Sequence, residues 1–367
     1  MCQAFADQGH AVLLAAAAGE DSGDVVEYYG LRGGFDLALK RFPALLKGRL
    51  ARSLRLRELL LALHHRWVVR SFRPSLVYSR LAVAELVLLP RDLPVIYEMH
   101  SLGPLGRGGL KGLLFRWLLR CKYFRRIIVT TDALAGMLRE RLPGVEVVVA
   151  RLGAEPPVQV DAVALQAFRA EHLQGHRFSR HVGYTGNLDT VGLRGTEVIC
   201  RCAAALPDVA FHVVGGDAES VAYWRMFAGQ NNTHGNLFFY DHRNPAEMPF
   251  FLACFDVVMA PLQWKPSRTA PIGAGMSPLK LPQYMAYRKA IIASDIPSHR
   301  EILEDGSTAL LVQCDDTDAW VTAINKLLAD SVLRERIGDA GHRSYMRNFT
   351  ASGRVRTVLQ GLDAGHG

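Results

Sequence analysis

Short apolar segments alternate with amphipathic segments along most of the chain. Apolar runs bounded by polar or glycine residues predict buried strands, and apolar positions at i, i+3 and i+4 predict helices. Strands are predicted at residues 11–16, 75–79, 94–100, 126–131, 145–150, 181–185, 210–215, 237–240, 256–261, 290–295 and 309–312. Helices are predicted at residues 36–71, 81–89, 110–125, 133–141, 196–205, 245–254, 315–329 and 332–345, with a further helix opening near residue 277.

This alternation predicts an α/β fold with parallel sheets covered by helices on both faces. A chain of 367 residues is too long for one ordinary core, so we expect two doubly wound, Rossmann-like domains facing a central cleft. We place an N-terminal, acceptor-side domain at residues 1–155 and a C-terminal, ligand-binding domain at residues 156–345. A C-terminal tail at residues 346–367 could pack back on the N-terminal domain.

Basic residues are concentrated in the first half of the chain. Residues 1–150 hold 22 Lys and Arg against 13 Asp and Glu, whereas the remainder holds 21 against 22. In the basic stretch 107–126, one helical face collects Leu110, Leu113, Leu114, Trp117 and Leu118. We favour packing of this face on the domain's own sheet, and a cationic, apolar surface for anionic lipid is the compatible alternative. No DNA- or RNA-binding motif accompanies the charge, so we expect no nucleic-acid partner.

Several classes of protein are disfavoured by patterns that the sequence lacks. No run of roughly 18 apolar residues predicts a membrane-spanning helix, and the first residues lack the basic segment of a secretory leader. The six cysteines and thirteen histidines show no metal-ligand spacing. We therefore expect a cytoplasmic protein without a metal, with peripheral attachment to the inner face of the plasma membrane as a variant of that expectation.

The segment GYTGNL at residues 183–188 ends a predicted strand in a glycine turn. Gly186 and Asn187 stop the strand, and Arg194 stands just before a helix for which Thr196 is well placed as the cap. At the carboxyl edge of a parallel sheet, a helix N-terminus and a cation favour an anionic ligand such as phosphate.

A longer segment, SPLKLPQYMAYRKAIIASDIPSHREIL at residues 277–303, combines a helix, a buried strand and a second helix. Ser277 opens the first helix, which carries Lys280 in its first turn. A cation opposes the helix dipole at that place, so an anion beside it would explain its position. We therefore expect Lys280 to lie at the same sheet edge as Arg194.

These two segments, with YEMH at 97–100 and VTTDAL at 129–134, resemble the GT-B retaining glycosyltransferases of the large family 4 type (glycosyl transferases group 1). The resemblance is strongest over residues 74–155 and 181–303. It implies transfer of a hexose-type sugar from a nucleoside-diphosphate sugar to a glycan or lipid-linked acceptor, with retention and without metal. No cofactor is implied, because the nucleotide sugar is a co-substrate.

The resemblance also implies site residues. The implied donor-binding set is Gly186, Asn187, Arg194, Ser277, Leu279, Lys280 and Gln283. Arg194 stands where the family has a lysine on the donor diphosphate, and Gln283 stands where it has a ribose-binding glutamate. A second family glutamate is replaced by Gly275. For catalysis, the resemblance implies His100 at the sugar's primary hydroxyl, and Glu98 is the one obvious acid or base carboxylate beside it.

Two departures from the family leave alternatives open. The lost glutamates fit a decayed, non-catalytic binding protein, and the same fold and donor pocket would serve a nucleotide-sugar epimerase. The beginning, CQAFADQGHAVLLAAA at residues 2–17, resembles the end of a first helix and the second strand of the family. We therefore expect the N-terminal domain, in the sequence as written, to lack its first and central strand, and we favour a misassigned start as the reason.

Overall fold

The computed structural model describes residues 1–17, 30, 32–41, 56–80, 89–90, 93–102, 110–121, 123–230, 234–264 and 279–362. The chain divides into two compact units. One unit contains Met1–Arg151 together with Val355–Gly367, and the other contains Leu152–Arg354. Each unit has its own parallel sheets covered by helices, as the predicted α/β class requires.

The first unit contains a two-stranded and a four-stranded parallel sheet, in the orders β1-β2 and β3-β4-β5-β6. The strands are β1 (Leu13–Ala17), β2 (Asp36–Lys40), β3 (Val77–Ser79), β4 (Val95–Met99), β5 (Phe124–Val129) and β6 (Val147–Val149). The helices are α1 (Cys2–Ala6), α2 (Leu56–Phe72), α3 (Leu110–Leu118) and α4 (Asp132–Arg141). The end of the chain belongs to this unit, since Val358 packs with Ile96 and Ile128 in one buried cluster.

The predicted helix over residues 36–71 is wrong at its start. Residues 36–40 form β2, which pairs in parallel with β1 in the register Leu13↔Asp36. A five-residue segment is too short to separate the periods of a helix and a strand, so pairing with β1 decides its conformation. The helix itself begins at Leu56, and the predicted helix at 81–89 lies almost entirely outside the described residues.

Helix α3 does not bury the single apolar face that its sequence predicts. Phe115 and Leu118 are buried against the four-stranded sheet, but Leu113 and Trp117 are 68% and 46% exposed. The buried face is therefore rotated toward Phe115 and Leu119, and part of the apolar surface remains in contact with solvent. No helix among the described residues is long and apolar enough to cross a membrane.

The second unit is built on one six-stranded parallel sheet, in the order β12-β11-β10-β7-β8-β9. The strands are β7 (His181–Thr185), β8 (Ala210–Val214), β9 (Leu237–Tyr240), β10 (Val257–Ala260), β11 (Ala290–Ser294) and β12 (Leu310–Val312). The helices are α5 (Ala162–His172), α6 (Thr196–Ala205), α7 (Ala218–Gln230), α8 (Met248–Cys254), α9 (Lys280–Ala286), α10 (Pro297–Arg300), α11 (Thr317–Ala329) and α12 (Ser331–Asn348). A last helix, α13 (Ala351–Leu359), begins in this unit and ends in the first, to which Val355–Gly367 belongs.

The strand order of this sheet locates a ligand crevice. The chain runs outward from β7 through β8 to β9, then returns to the other side of β7 and runs outward again from β10. Successive loops at the carboxyl edge therefore diverge between β7 and β10. This topological switch point is where open α/β sheets bind their ligands. Strands β7, β8, β10 and β11 are buried along their whole length, as expected of a parallel sheet covered on both faces.

Candidate functional site

The turn after β7 lies at the switch point and depends on glycine. Gly186 extends the strand by donating its N–H to Val214 O over 2.9 Å. Its φ of +140° is a conformation that L side chains rarely adopt. Gly215, the first residue after β8, packs directly against this turn, and a Cβ on Gly215 would lie 2.5 Å from Gly186 O. The two turns thus pack backbone against backbone, which leaves the crevice open above them.

Lys280 reaches this turn from the first position of α9. Its Nζ lies 3.6 Å from the centroid of the Tyr184 ring, and a Cβ on Gly186 would lie 3.0 Å from the same Nζ. The residue is half-buried, and no carboxylate among the described residues forms an ion pair with it. Loss of hydration lowers the pKa of Lys280 well below its usual range, and the charge of Arg194 lowers it further. An anion in the crevice would supply the missing counter-charge.

A buried tyrosine fixes α9 to the end of β7. The Tyr284 hydroxyl accepts hydrogen bonds from Thr185 N over 2.8 Å and from Thr185 Oγ1 over 3.2 Å. Burial raises the pKa of Tyr284 to about 12, so the hydroxyl stays neutral. Since Tyr284 lies about one turn after Lys280, these bonds hold the lysine at the switch point. Sequence reasoning missed Tyr284, because its role depends on a residue 99 positions earlier in the chain.

Asp189 organises the loop that carries Arg194. Its two carboxylate oxygens accept hydrogen bonds from Leu193 N and Arg194 N, each over 2.9 Å. The Arg194 guanidinium Nε lies 3.8 Å from the same carboxylate, so the side chain is steered but not fully neutralised. Asp189 was also missed, although an Asp shortly before a glycine-containing turn is a recognisable signal for side-chain to backbone bonding.

Thr196 does not cap α6, contrary to the sequence-based expectation. The N-cap is Gly195, with a φ of +76° and no side-chain cap, and Thr196 is the fully buried first residue of the helix. A Cβ on residue 195 would lie 1.8 Å from Pro261 O, so only glycine fits against the loop after β10. The first N–H groups of α6 therefore have no capping side chain and can donate to an anion.

The other predicted donor-binding residues differ in their surroundings. Asn187 O accepts a hydrogen bond from the Tyr184 hydroxyl over 3.0 Å. Leu279 is the N-cap of α9 and is 53% exposed, and the half-buried Gln283 donates its N–H to Leu279 O over 3.4 Å. Ser277 lies outside the described residues. The structure thus brings Gly186, Asn187, Arg194 and Lys280 together around the end of β7.

His299 is a further buried group near Lys280 that sequence reasoning did not identify. Its Nδ1 lies 2.8 Å from Ser294 O, which can only accept, so Nδ1 carries the proton. Burial lowers the pKa of His299 to about 4, with a smaller lowering from the charge of Lys280. The imidazole is therefore neutral at physiological pH and adds no charge to the site.

In the first unit, Glu98 and His100 form a pair at the end of β4. Glu98 has a side chain that is only 2% exposed, and its Oε1 lies 2.7 Å from His100 Nε2. Its other oxygen, Oε2, accepts a hydrogen bond from the Tyr78 hydroxyl. Glu98 thus faces Tyr78 with one carboxylate oxygen and the imidazole of His100 with the other, so the carboxylate is placed to orient that ring. Among the described residues, no three His, Cys, Asp or Glu side chains are grouped so that they could hold a metal ion.

Comparison with known families accounts for both units. A family model described as Glycosyltransferase Family 4 matches residues 1–156, and one described as Glycosyl transferases group 1 matches residues 179–330. The chain belongs to the group 1, family 4 glycosyltransferases. The Glu98–His100 pair lies within the first matched region. The described residues that the sequence predicts to bind the donor lie within the second.

Curated relatives match a part of the chain. The α-maltose-1-phosphate synthase of Mycobacterium tuberculosis is 28% identical over 159 residues, which are 42% of this chain and 36% of that protein. The phosphatidyl-myo-inositol mannosyltransferase of Mycolicibacterium smegmatis is 30% identical over 135 residues, 36% of this chain and 31% of that protein. The matches thus span about a third of each relative.

Solved structures resemble the chain over nearly its whole length. A sucrose-phosphate synthase from Thermosynechococcus elongatus superposes with a TM-score of 0.68 at 17% identity, covering 99% of this chain and 90% of that one. The Anabaena protein HepE, solved in complex with UDP-glucose, gives a TM-score of 0.68 at 14% identity, covering 99% and 93%. At these identities the likeness shows the fold.

Proposed function

We propose that this glycosyltransferase moves a hexosyl group from a nucleoside-diphosphate sugar to a hydroxyl of a glycan or lipid-linked acceptor, with retention and without a metal. The observation that carries the proposal is Lys280, which α9 holds beside Gly186 within the electrostatic reach of Arg194 and which pairs with no carboxylate among the described residues. Of the common anionic ligands, a diphosphate best matches two cations, Lys280 and Arg194, at a topological switch point. The UDP-glucose complex of HepE, a protein of the same fold, agrees with this ligand class.

In the proposed reaction, the bond between the sugar's anomeric carbon and the diphosphate oxygen breaks and a bond to the acceptor oxygen forms, while the proton of the acceptor hydroxyl passes to the leaving diphosphate. Negative charge then develops on the leaving diphosphate. Lys280, Arg194 and the uncapped first turn of α6 would stabilise that charge, which is the task that a metal performs in other transferases.

His100 and Glu98 would act on the transferred sugar. We assign to His100 a hydrogen bond to the primary hydroxyl of the sugar, and to Glu98 the orientation of the imidazole. An epimerase would instead need a carboxylate that exchanges protons with the substrate. Since Tyr78 and His100 face the two oxygens of Glu98, the geometry favours the transferase.

Replacing Arg194 tests the donor site. Loss of a charge-assisted contact costs about 1.5–3 kcal/mol, so Arg194→Ala should weaken UDP binding by roughly ten- to a hundred-fold. Arg201→Ala is the matched control, because Arg201 lies on the exposed side of α6 and pairs with Glu197. Calorimetric titration with UDP and GDP reads out both variants. Unchanged affinity in Arg194→Ala would sink the donor-site assignment.

A turnover assay separates the three candidate activities. Release of nucleoside diphosphate should require a lipid-linked or glycan acceptor if the protein is a transferase. Conversion of the nucleotide sugar without release would identify an epimerase. Tight binding of the nucleotide sugar with neither reaction would identify a non-catalytic binding protein and would overturn the proposal.

We also propose that the protein is cytoplasmic and attaches peripherally to an anionic membrane through its first unit. The exposed Leu113 and Trp117 of α3, within a basic stretch, support this proposal. Exposed charges are screened by salt, so flotation with anionic vesicles should be strong at low salt and weak at high salt. Equal flotation with neutral vesicles would contradict the electrostatic part of the attachment.

A further inference from the structure

The first unit contains a cavity away from Glu98 and His100. It has a volume of about 410 Å³ and lies between the end of α3, the start of β5 and the end of α4. These are the ends of the elements opposite to the carboxyl edge of the sheet, where the pair of the candidate site lies. Buried Leu119, Phe124 and Leu142 contribute apolar lining. The volume suits a small molecule or a headgroup rather than a few waters.

Among the described residues that line this cavity, three are arginines and none is acidic. Arg116, Arg120 and Arg141 come from two different helical segments and share the same space. None of the three guanidinium groups forms an ion pair or hydrogen bond with a described residue. Glu140 directly precedes Arg141 in the chain but does not line the cavity, whereas Glu146 pairs with Arg126 over 3.1 Å and Asp132 pairs with Arg151.

A structural role explains two of the arginines but not the group of three. Arg116 and Arg141 lie in the last turns of α3 and α4, where the helix dipole favours a cation. All three arginines are exposed, and the dipoles do not offset the repulsion that remains among three like charges lining one cavity. An anion in the cavity would relieve it. Phosphate is the best match, because its oxygens accept the paired N–H groups of a guanidinium fork.

The cavity lies next to the exposed apolar residues of α3. At about 100° per residue, Arg116 and Arg120 adjoin the exposed Leu113 and Trp117 on the surface of the same helical segment. A phosphate held by the arginines would therefore lie next to exposed apolar side chains. This is the arrangement expected where a lipid phosphate and its glycerol region meet a protein surface.

We propose that the cavity lined by Arg116, Arg120 and Arg141 is a binding site for a phosphate group, separate from the donor site of the second unit. The phosphate belongs either to a soluble phosphorylated compound or to an anionic lipid headgroup. Both sources use the same chemistry in the cavity, so the experiment has one arm for each.

The soluble arm is a calorimetric titration with inorganic pyrophosphate. It uses the Arg194→Ala, Lys280→Ala variant as background, so that the donor site contributes little. Arg116→Gln, Arg120→Gln and Arg141→Gln should each weaken binding roughly tenfold or more. Arg125→Gln is the matched control, because Arg125 is an exposed arginine of the same unit that does not line the cavity. Arg125→Gln should bind pyrophosphate with the same affinity as the background variant.

The lipid arm measures flotation with vesicles of phosphatidylcholine alone and with added phosphatidic acid. Loss of flotation in the three cavity variants, but not in Arg125→Gln, identifies a lipid phosphate. Loss of pyrophosphate binding with unchanged flotation identifies a soluble ligand. The proposal is overturned if the cavity variants match Arg125→Gln in both arms, or if the unsubstituted cavity binds neither probe. A failure of the donor-site assignment would not alter either comparison, since all variants share that background.

Discussion

Lys280, which has no carboxylate partner in the described part of the chain, should lower the stability of the free protein while it strengthens ligand binding. Lys280→Met keeps the apolar stem of the side chain and removes the ammonium. The native state then no longer holds a poorly hydrated cation above the Tyr184 ring beside Gly186. The cation–π contact that is lost is worth about 0.5–2 kcal/mol, but the desolvation of the ammonium costs several kcal/mol, and no carboxylate among the described residues offsets that cost.

The net effect is therefore a gain of stability. Removal of a locally unfavourable functional group commonly stabilises a protein by about 0.5–2 kcal/mol. For a unit of the size of Leu152–Arg354, this corresponds to a rise in Tm of about 2–4 °C per kcal/mol. In the same variant, UDP should bind roughly ten- to a hundred-fold more weakly, because a charge-assisted contact is lost. Stability and affinity change in opposite directions.

Lys289→Met is the matched control for this prediction. Lys289 follows α9 by a few residues and donates a hydrogen bond from Nζ to Phe255 O over 2.8 Å. Burial lowers the pKa of Lys289 to about 8, yet its carbonyl partner would be left unsatisfied in the variant. Lys289→Met should therefore lower the stability and leave the UDP affinity unchanged.

Thermal unfolding of both variants, with and without UDP, distinguishes these cases. The shift of Tm that UDP produces should be reduced in Lys280→Met and retained in Lys289→Met. A further check is the pH dependence of the free protein. Because the folded pKa of Lys280 is lowered, the unfolded chain binds its proton more readily, and this lysine's contribution makes stability rise as pH approaches the usual lysine range. A destabilised Lys280→Met with full UDP affinity would refute the reasoning.

Two further predictions concern buried groups of the second unit. Tyr284→Phe leaves Thr185 N without its acceptor, so this variant should lose about 1–3 kcal/mol of stability and should also bind UDP more weakly. Tyr345→Phe is the control: the Tyr345 hydroxyl donates to Ala154 O, so its loss should reduce stability and leave UDP affinity unchanged. Burial lowers the pKa of His212 to about 3 in the folded protein, whereas a histidine of the unfolded chain has a pKa of about 6.5. The free energy of unfolding should therefore fall as pH drops below about 6.5, and the contribution of this group at pH 4.5 is a loss of about 3 kcal/mol. Urea unfolding at pH 7 and pH 4.5 measures this loss, and His212→Phe should reduce it; an unchanged pH dependence in that variant would contradict the assignment.

In the second unit, the sequence predicts an element well where its apolar residues follow the period of either a helix or a strand clearly. The predicted bounds of β7 and α6 match those observed, because both elements are bounded by glycine turns and carry clear apolar patterns. Helix α7 was not predicted. It buries Val221 and Trp224 but exposes Tyr223 and Met226, so its apolar residues surround the helix and form no stripe. Tertiary packing decides such a segment.

The site could be predicted only in part, for a related reason. Gly186, Arg194 and Lys280 stand beside turns and helix starts, which are visible in a single sequence. Asp189 and Tyr284, which hold the loop of Arg194 and the helix of Lys280 in place, act through contacts that no local pattern encodes. The cation positions were thus accessible to sequence reasoning, and the groups that position them were not.

The N-terminal caps distinguish α6 from six other described helices and support a ligand at its N-terminus. Side chains cap six described helices of eight or more residues: Thr131 for α4, Asp161 for α5, Asp217 for α7, Asp316 for α11, Asp330 for α12 and Thr350 for α13. At α6, the approach of Pro261 O leaves no room for a Cβ on Gly195, so the protein cannot supply a cap from that position. In those six helices, a capping side chain accepts hydrogen bonds from the first N–H groups. In α6, the corresponding N–H groups therefore stay available beside Arg194. A bound diphosphate would supply acceptor oxygens and negative charge at this point, and the fold provides for it by excluding a cap of its own.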